Sequence, residues 1–253
     1  MLFNAIVGFA LATSAIAAPF TVSGLNSTKW TPDHILQPDE VILYGEGRME
    51  VVHESVYHAL MAEQGLTGKP EAPELPSTPY ASHNGSDLSA RANCHTTAVV
   101  TDRSETFIDW DVQMSPVVIG AGTGIDVYVS SGYSVSNTLE VTAGLDVTAI
   151  KDKLGASLGI DYWRTWSTQT VVNIKGTVAN GYSGVMITKP TTTRRYGRIL
   201  TGCLGSQKQT GTFVADNHVD GSYAGVKWVQ GAITMCMKKE YPLSRCEGGG
   251  YFV

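Results

Sequence analysis

The chain has 253 residues, 43% of them hydrophobic and only 16% charged, against a typical charged share of roughly 25%. With 27 glycines, four cysteines and a formal net charge of -5, it is not a coiled coil, a disordered acidic tail or a basic nucleic-acid binder. Residues 19–91 hold 4 basic and 10 acidic side chains and residues 92–253 hold 14 and 13, so the acidity belongs to the N-terminal third.

Residues 1–17 read as a secretory signal. Residues 6–16 form an uncharged, mostly apolar run, and Ala15-Ile16-Ala17 places small residues at a cleavage site, with the cut after Ala17. The run is too short to span a bilayer, which takes about 20 residues, and no later segment is apolar enough, so release from the cell is the expectation. Asn26-Ser27-Thr28 and Asn84-Gly85-Ser86 are N-glycosylation sequons on the exported part.

Residues 41–45 read as a strand, 45–47 as a turn and 49–53 as a returning strand. Residues 54–64 predict a helix with Val56, Leu60 and Met61 on one face, stopped at Gly65. This acidic ββα unit, 18–68, is too small for a core of its own and reads as a pro-like segment. Residues 69–91 carry Pro70, Pro73, Pro76 and Pro79 among Ser, Gly and Asn, a linker composition, with a boundary near Arg91.

Residues 92–253 predict an all-β domain. Residues 96–101 and 106–114 are strand candidates. Ile125, Val127, Val129, Tyr133, Val135, Leu139, Val141, Ala143, Leu145 and Val147 share one parity, with Ser, Thr, Asp and Glu on the other. A second alternating run has Ala156, Leu158, Ile160, Tyr162, Trp166, Val172 and Ile174 on one side. Together they predict a long amphipathic β-hairpin over 125–174, bent at Gly132 and Asn137. Shorter strands are expected at 184–188, 197–201, 211–215 and 226–236.

Export makes Cys94, Cys203, Cys236 and Cys246 an even set in an oxidising route, hence two disulfides. Three pairings are possible. Cys203–Cys236 with Cys94–Cys246 is the expected one, because the second bridge ties the ends of the β region together. No Cys-x-x-Cys spacing suits zinc, and no motif calls for a cofactor.

Catalytic patterns are thin. Gly155-Ala-Ser157-Leu-Gly159 matches a nucleophile elbow, with Asp161 or Asp216 and then His218 in the required order. That chemistry needs a strand-to-helix turn, whereas Ser157 falls on the polar parity of the expected hairpin. Asp216-Asn-His218-Val-Asp220-Gly221 starts like a calcium loop, but Lys227 stands where a carboxylate belongs, so a polar turn is expected. Asp109-Trp110-Asp111 sets two carboxylates at a spacing a glycosidase pair could use; two solvated aspartates flanking a buried Trp110 is the plainer expectation. His34, His53, His58 and His83 lie in the acidic segment, and His95 and His218 in the β region; loose exposed histidines are expected in the former.

Several motifs together resemble one family. Residues 41–48 (VILYGEGR), 110–114 (WDVQM), 132–138 (GYSVSNT), 166–168 (WST), 201–205 (TGCLG) and 241–246 (YPLSRC) are similar to fungal small secreted, effector-like proteins of ascomycetes. The resemblance covers most of the mature chain and includes the four cysteine positions. It implies secretion and a role towards an extracellular host or competitor target, and it implies no activity, fold or catalytic residue; the nearly neutral charge of 92–253 separately argues against nucleic acid as a partner. It also implies dibasic cleavage before the first cysteine; here the stretch carries the single Arg91, and 70–93 is the expected place of proteolysis. The reading is an exported, non-enzymatic effector-like or binding protein: an antiparallel β-sandwich at 92–253 behind a pro-like segment. The alternative takes the 125–174 hairpin as resembling the membrane-inserting element of aerolysin-type pore-forming proteins. A secreted hydrolase is a third reading.

Overall fold

The computed structural model describes residues 26–80, 96–168, 173–203, 206–223 and 226–253. The leader at 1–17, His83, Asn84, Arg91, Cys94 and His95 lie outside the described residues. In chain order the elements are β1 (Thr28–Lys29), β2 (Ile35–Leu36), β3 (Glu40–Gly45), β4 (Arg48–His53), α1 (Glu54–Glu63), β5 (Thr96–Ile108), β6 (Val112–Gln113), β7 (Val118–Ile119), β8 (Ile125–Tyr128), β9 (Ser134–Ser136) and β10 (Thr138–Val141). There follow α2 (Val147–Leu158), β11 (Thr165–Ser167), β12 (Lys175–Val178), β13 (Ser183–Gly202), β14 (Lys208–His218), β15 (Asp220–Tyr223), β16 (Val226–Val229) and β17 (Gly231–Lys238). The chain is all-β and largely antiparallel.

The spine is β13, 20 residues long. Its first half pairs with β17, β6 and β7, and its second half with β5 and β14. Residues 184–188 and 197–201, expected as two strands, are therefore one. Pro190 between them sits where the partners change, a place where a missing N–H strands no ladder. Gly231 meets β13 at this seam: a Cβ there would lie 2.3 Å from the Lys189 carbonyl oxygen and 2.9 Å from Pro190 Cα. One ten-stranded sheet dominates, with three small sheets beside it.

The N-terminal unit forms as its turn and helix signals predict, and it is sewn into this sheet. In α1, Tyr57 joins Leu60 and Met61 on the buried face, with Val56 only partly covered. Strand β3 pairs with β17 (Ile42 opposite Ile233), and β2 runs parallel to β12. Trp30, Leu36, Ile42, Tyr44 and Met49 share one core with Val127, Trp166, Met186 and Val229. The proline-rich stretch is a strap as far as it is described. The Ile108 amide donates to Thr67, the Arg194 guanidinium to the Pro70 carbonyl, the Ala143 amide to Pro76, and the Tyr80 amide to Thr210.

The long hairpin expected over 125–174 is not formed as one element. β8 pairs with β12 (Ile125 opposite Val178) and β9 with β11 (Ser134 opposite Ser167), antiparallel pairings in two separate small sheets. Beyond Asn137 the chain turns elsewhere: β10 pairs with β14, and 147–158 is helix. Three local signals decide for the helix. The Asp146 carboxylate caps it by accepting from the Thr148 and Ala149 amides, Ile150 and Leu154 bury one i,i+4 face, and Gly159 ends it at φ 67°. The alternation also fails there: Thr142 is buried and Ala143 exposed.

The expected disulfide pairing is overturned. Cys236 bonds to Cys246, with Cα atoms 5.8 Å apart. Cys236 lies opposite Val185, whereas Cys203 follows the far end of β13. At about 3.3 Å per residue those 18 positions separate Cys203 from Cys236 by roughly 60 Å, beyond any bridge. The turn at Tyr241-Pro242 instead returns the chain so that Leu243 and Phe252 pack with Val185 and Ile187 beside Cys236. Cys203 is itself disulfide-bonded.

Candidate functional site

The structure disperses the catalytic patterns. Ser157 lies in the last turn of α2, where its hydroxyl donates to the Leu154 carbonyl at 3.1 Å. It is neither on a hairpin face nor at an elbow. Asp216 is buried and receives Arg194 bidentately, at 2.7 Å on each oxygen. Asp220, at the start of β15, accepts from the Trp166 indole and from Arg164, each at 2.5 Å. His218 is half-buried beside Trp166, and its amide donates to the Asn137 side-chain oxygen at 2.8 Å. Burial pushes its imidazole down to about 4, against an upward pull from Asp109 and Asp216. The N-terminal histidines sit against carboxylates: His34 with Glu40, His53 with Asp39 and His58 with Glu54. Asn26 is exposed at the entry to β1.

Asp109-Trp110-Asp111 reverses the expected pattern, because β5 ends at Ile108 and strand parity stops there. Trp110 is 48% exposed and Asp111 is 1% exposed. Asp111 Oδ2 accepts from the Cys246 and Glu247 amides at 2.7 and 2.9 Å, and Oδ1 faces Arg245 Nη1 at 3.1 Å. That carboxylate clamps the C-terminal loop. Asp109 faces elsewhere, pairing with Lys69 at 2.8 Å. The two do not form a glycosidase pair.

The clamp, the disulfide and α1 together shape a cleft of about 400 Å³. Helix α1 gives Tyr57, His58 and Met61; the turn after it gives Leu66 and Lys69; β13 gives Lys189; the C-terminal loop gives Glu247 and Gly248. Lys189 is buried although charged, with its side chain 7% exposed. Its ammonium donates to Glu247 Oε1 at 3.0 Å and lies 5.9 Å from the Tyr57 ring centre. Tyr57 is 3% exposed, and its hydroxyl has no hydrogen-bond partner among the described residues. Burial, reinforced by the Glu247 charge, raises its pKa, so it stands as a neutral donor. At the rim Lys69 is held by Asp109 and lies 5.4 Å from the Trp110 ring centre. Gly248, at φ 89°, packs on that indole so closely that a Cβ would fall 2.6 Å from it.

Tyr57, Lys189 and Glu247 carry no signature of their own in the chain. The one readable signal is Lys189 itself, a charge ending the apolar run 184–188. Chemically the cleft offers a buried cation, an unspent hydroxyl donor and an apolar wall, which is the make-up of a small-molecule site. No family model matches the chain, and neither a curated protein nor a solved structure matches it.

Proposed function

We propose that this chain is a secreted, non-enzymatic binding protein of fungal effector type, acting outside the cell on an extracellular host or competitor target. The observation that carries the binding reading is the cleft under α1. It is concave and partly apolar, and it holds the buried Tyr57 hydroxyl, without a partner among the described residues, and the buried Lys189 ammonium, whose counter-ion is the half-exposed Glu247. The leader at 1–17 and the sequons at Asn26 and Asn84 support export, with N-glycans and a processing cut near Arg91 as its companions. The test is to express the full chain in a fungal host and collect it from the medium. Native mass spectrometry then follows incubation with small-molecule extracts of host tissue and of competing microbes. Loss of the leader after Ala17, a second N-terminus near residue 92, and a small-molecule adduct lost in Lys189→Met support the reading; an N-terminus at Ala18 alone removes the processing cut. Retention of the protein inside the cell removes it.

A second reading, pore formation, is favoured by one observation: β8 already pairs antiparallel with β12, and β9 with β11. The inner side chains of these strands and their neighbours, among them Val127, Val129, Val135, Trp166 and Ile174, are buried on the core and would have to peel away to meet lipid. Dye release from liposomes by the intact chain, and by chain nicked within 81–95, tests this. No release and no oligomer on any target membrane sinks it.

A further inference from the structure

We propose that the cleft takes a small monocarboxylic acid with an apolar body, its carboxylate displacing Glu247 from Lys189 and reaching on to the Tyr57 hydroxyl that Glu247 leaves without a partner. This rests on the reading of the chain as a binding protein and names the chemistry of its ligand. Three observations lead there.

First, the unspent capacity at the floor is donor capacity. An ammonium has three N–H groups, and Lys189 spends one of them, on Glu247. The Tyr57 hydroxyl spends none, although it is buried. Its raised pKa keeps the proton on the oxygen at any ordinary pH. Buried donors without partners are costly, so an acceptor group reaching both is rewarded.

Second, that acceptor must carry charge. Glu247 is the counter-ion of a buried ammonium, and a neutral group in its place leaves the charge unpaired in a poorly solvated site. Glu247 is itself easily displaced. Its side chain is 48% exposed, and it follows Cys246 on a loop whose backbone, not whose carboxylate, is held by Asp111. The side chain can turn into water while the loop stays in place.

Third, only one positive charge is on offer. Lys69, the other lysine of the cleft, is already neutralised by Asp109 at 2.8 Å. A doubly charged phosphate would bring one negative charge too many. A flat carboxylate with two oxygens matches one ammonium and one hydroxyl. Met61, Leu66 and Ile108, with the half-exposed Trp110 indole, wall the space beyond, so the rest of the ligand is hydrocarbon.

The experiment is isothermal titration of the full-length secreted protein with sodium benzoate and sodium hexanoate. Benzamide serves as the uncharged isostere and inorganic phosphate as the second anion. Saturable binding of at least one acid is expected, with benzamide and phosphate weaker by about tenfold or more, the loss of one charged contact. Tyr57→Phe should weaken the acid by roughly fivefold to tenfold through one lost hydrogen bond, and Lys189→Met should abolish binding. Glu247→Gln should tighten it, by up to about tenfold, because an internal competitor has been weakened. That gain is the reading a merely structural role for Glu247 does not give. Thermal melts of each variant identify any that has unfolded; should Lys189→Met do so, the opposed signs of Tyr57→Phe and Glu247→Gln decide. The assignment is overturned if folded parent protein binds neither acid, or if Glu247→Gln weakens or leaves unchanged the affinity. Phosphate or benzamide binding as tightly as the acids also overturns it, and leaves the wider binding reading to its own test.

Discussion

Replacing Asp111 by asparagine isolates the clamp on which the C-terminal loop depends. The change keeps the volume, so no cavity opens around this 1% exposed side chain. What goes is the charge. A hydrogen bond to an ionised group is worth about 1.5–3 kcal/mol and a neutral one about 0.5–1.5, so the two amide bonds from Cys246 and Glu247 lose about 1 kcal/mol each. The face towards Arg245 becomes donor against donor, at a further cost of about 1 kcal/mol. The sum, about 3 kcal/mol, corresponds to a Tm lowered by about 6–12 °C in a chain of this size. Urea denaturation with the disulfides intact measures it directly. Dithiothreitol should reduce Cys236–Cys246 faster in the variant, because the backbone of Cys246 has lost its anchor. A variant within about 0.5 kcal/mol of the parent, the range of ordinary surface changes, with an unchanged reduction rate, refutes the clamp.

Other outcomes follow from the same geometry. Asp216→Leu leaves the Arg194 guanidinium buried with the Pro70 carbonyl and the Tyr196 hydroxyl but without its counter-ion, and should cost about 3–5 kcal/mol. Adding Arg194→Met should restore most of it in a double-mutant cycle, and equal losses in the single and double variants would count against a coupled pair. His218 is held near pKa 4 by burial, below its ordinary 6.5. The unfolded chain therefore takes up the proton first, and stability from this group is full above pH 6.5 and drains as pH falls towards 4, by an amount of order 3 kcal/mol. His218→Gln should flatten the urea midpoint over that window relative to the parent; parallel curves would remove His218 as the cause. Gly231→Ala drives a Cβ into the backbone of Lys189 and Pro190, and a loss of about 1–3 kcal/mol is expected by thermal melting. An unchanged melt would mean that β13 and β17 can part at the seam.

Local chemistry in the sequence was legible where it was self-contained. The Gly45-Glu46-Gly47 turn and the face of α1 announce the ββα unit, because every signal lies within a few residues. The β class follows from alternation in the same way. Helix α2 was hidden by its neighbours: Asp146 and Gly159 are ordinary capping residues, but they sit inside a run whose period of two had already suggested a strand. Residues 184–188 and 197–201 read as two strands because only the partner strands show that Pro190, between them, sits at a seam of one. The cleft was illegible for a different reason. Tyr57, Lys69, Asp109, Lys189 and Glu247 come from five separate segments, and what joins them is sheet pairing and a ten-residue disulfide loop. Even the Asp109-Trp110-Asp111 motif misled, since the strand ends one residue before it and the indole and the second carboxylate exchange the exposure expected of them.

The stitching of β1, β3 and β4 into the main sheet, and of β2 onto β12, gives chain cleavage an unusual meaning. A break anywhere between Tyr80 and Thr96 leaves two fragments, each lacking strands that the other supplies: β3 completes the sheet at β17, and β2 joins β12. Such fragments stay associated while folded, and one protein becomes a heterodimer of itself. Its refolding changes from first-order to second-order and slows on dilution, and its melting point acquires a dependence on concentration that the uncut chain does not have. Cleavage there would thereby make the persistence of the fold a matter of how much protein is present.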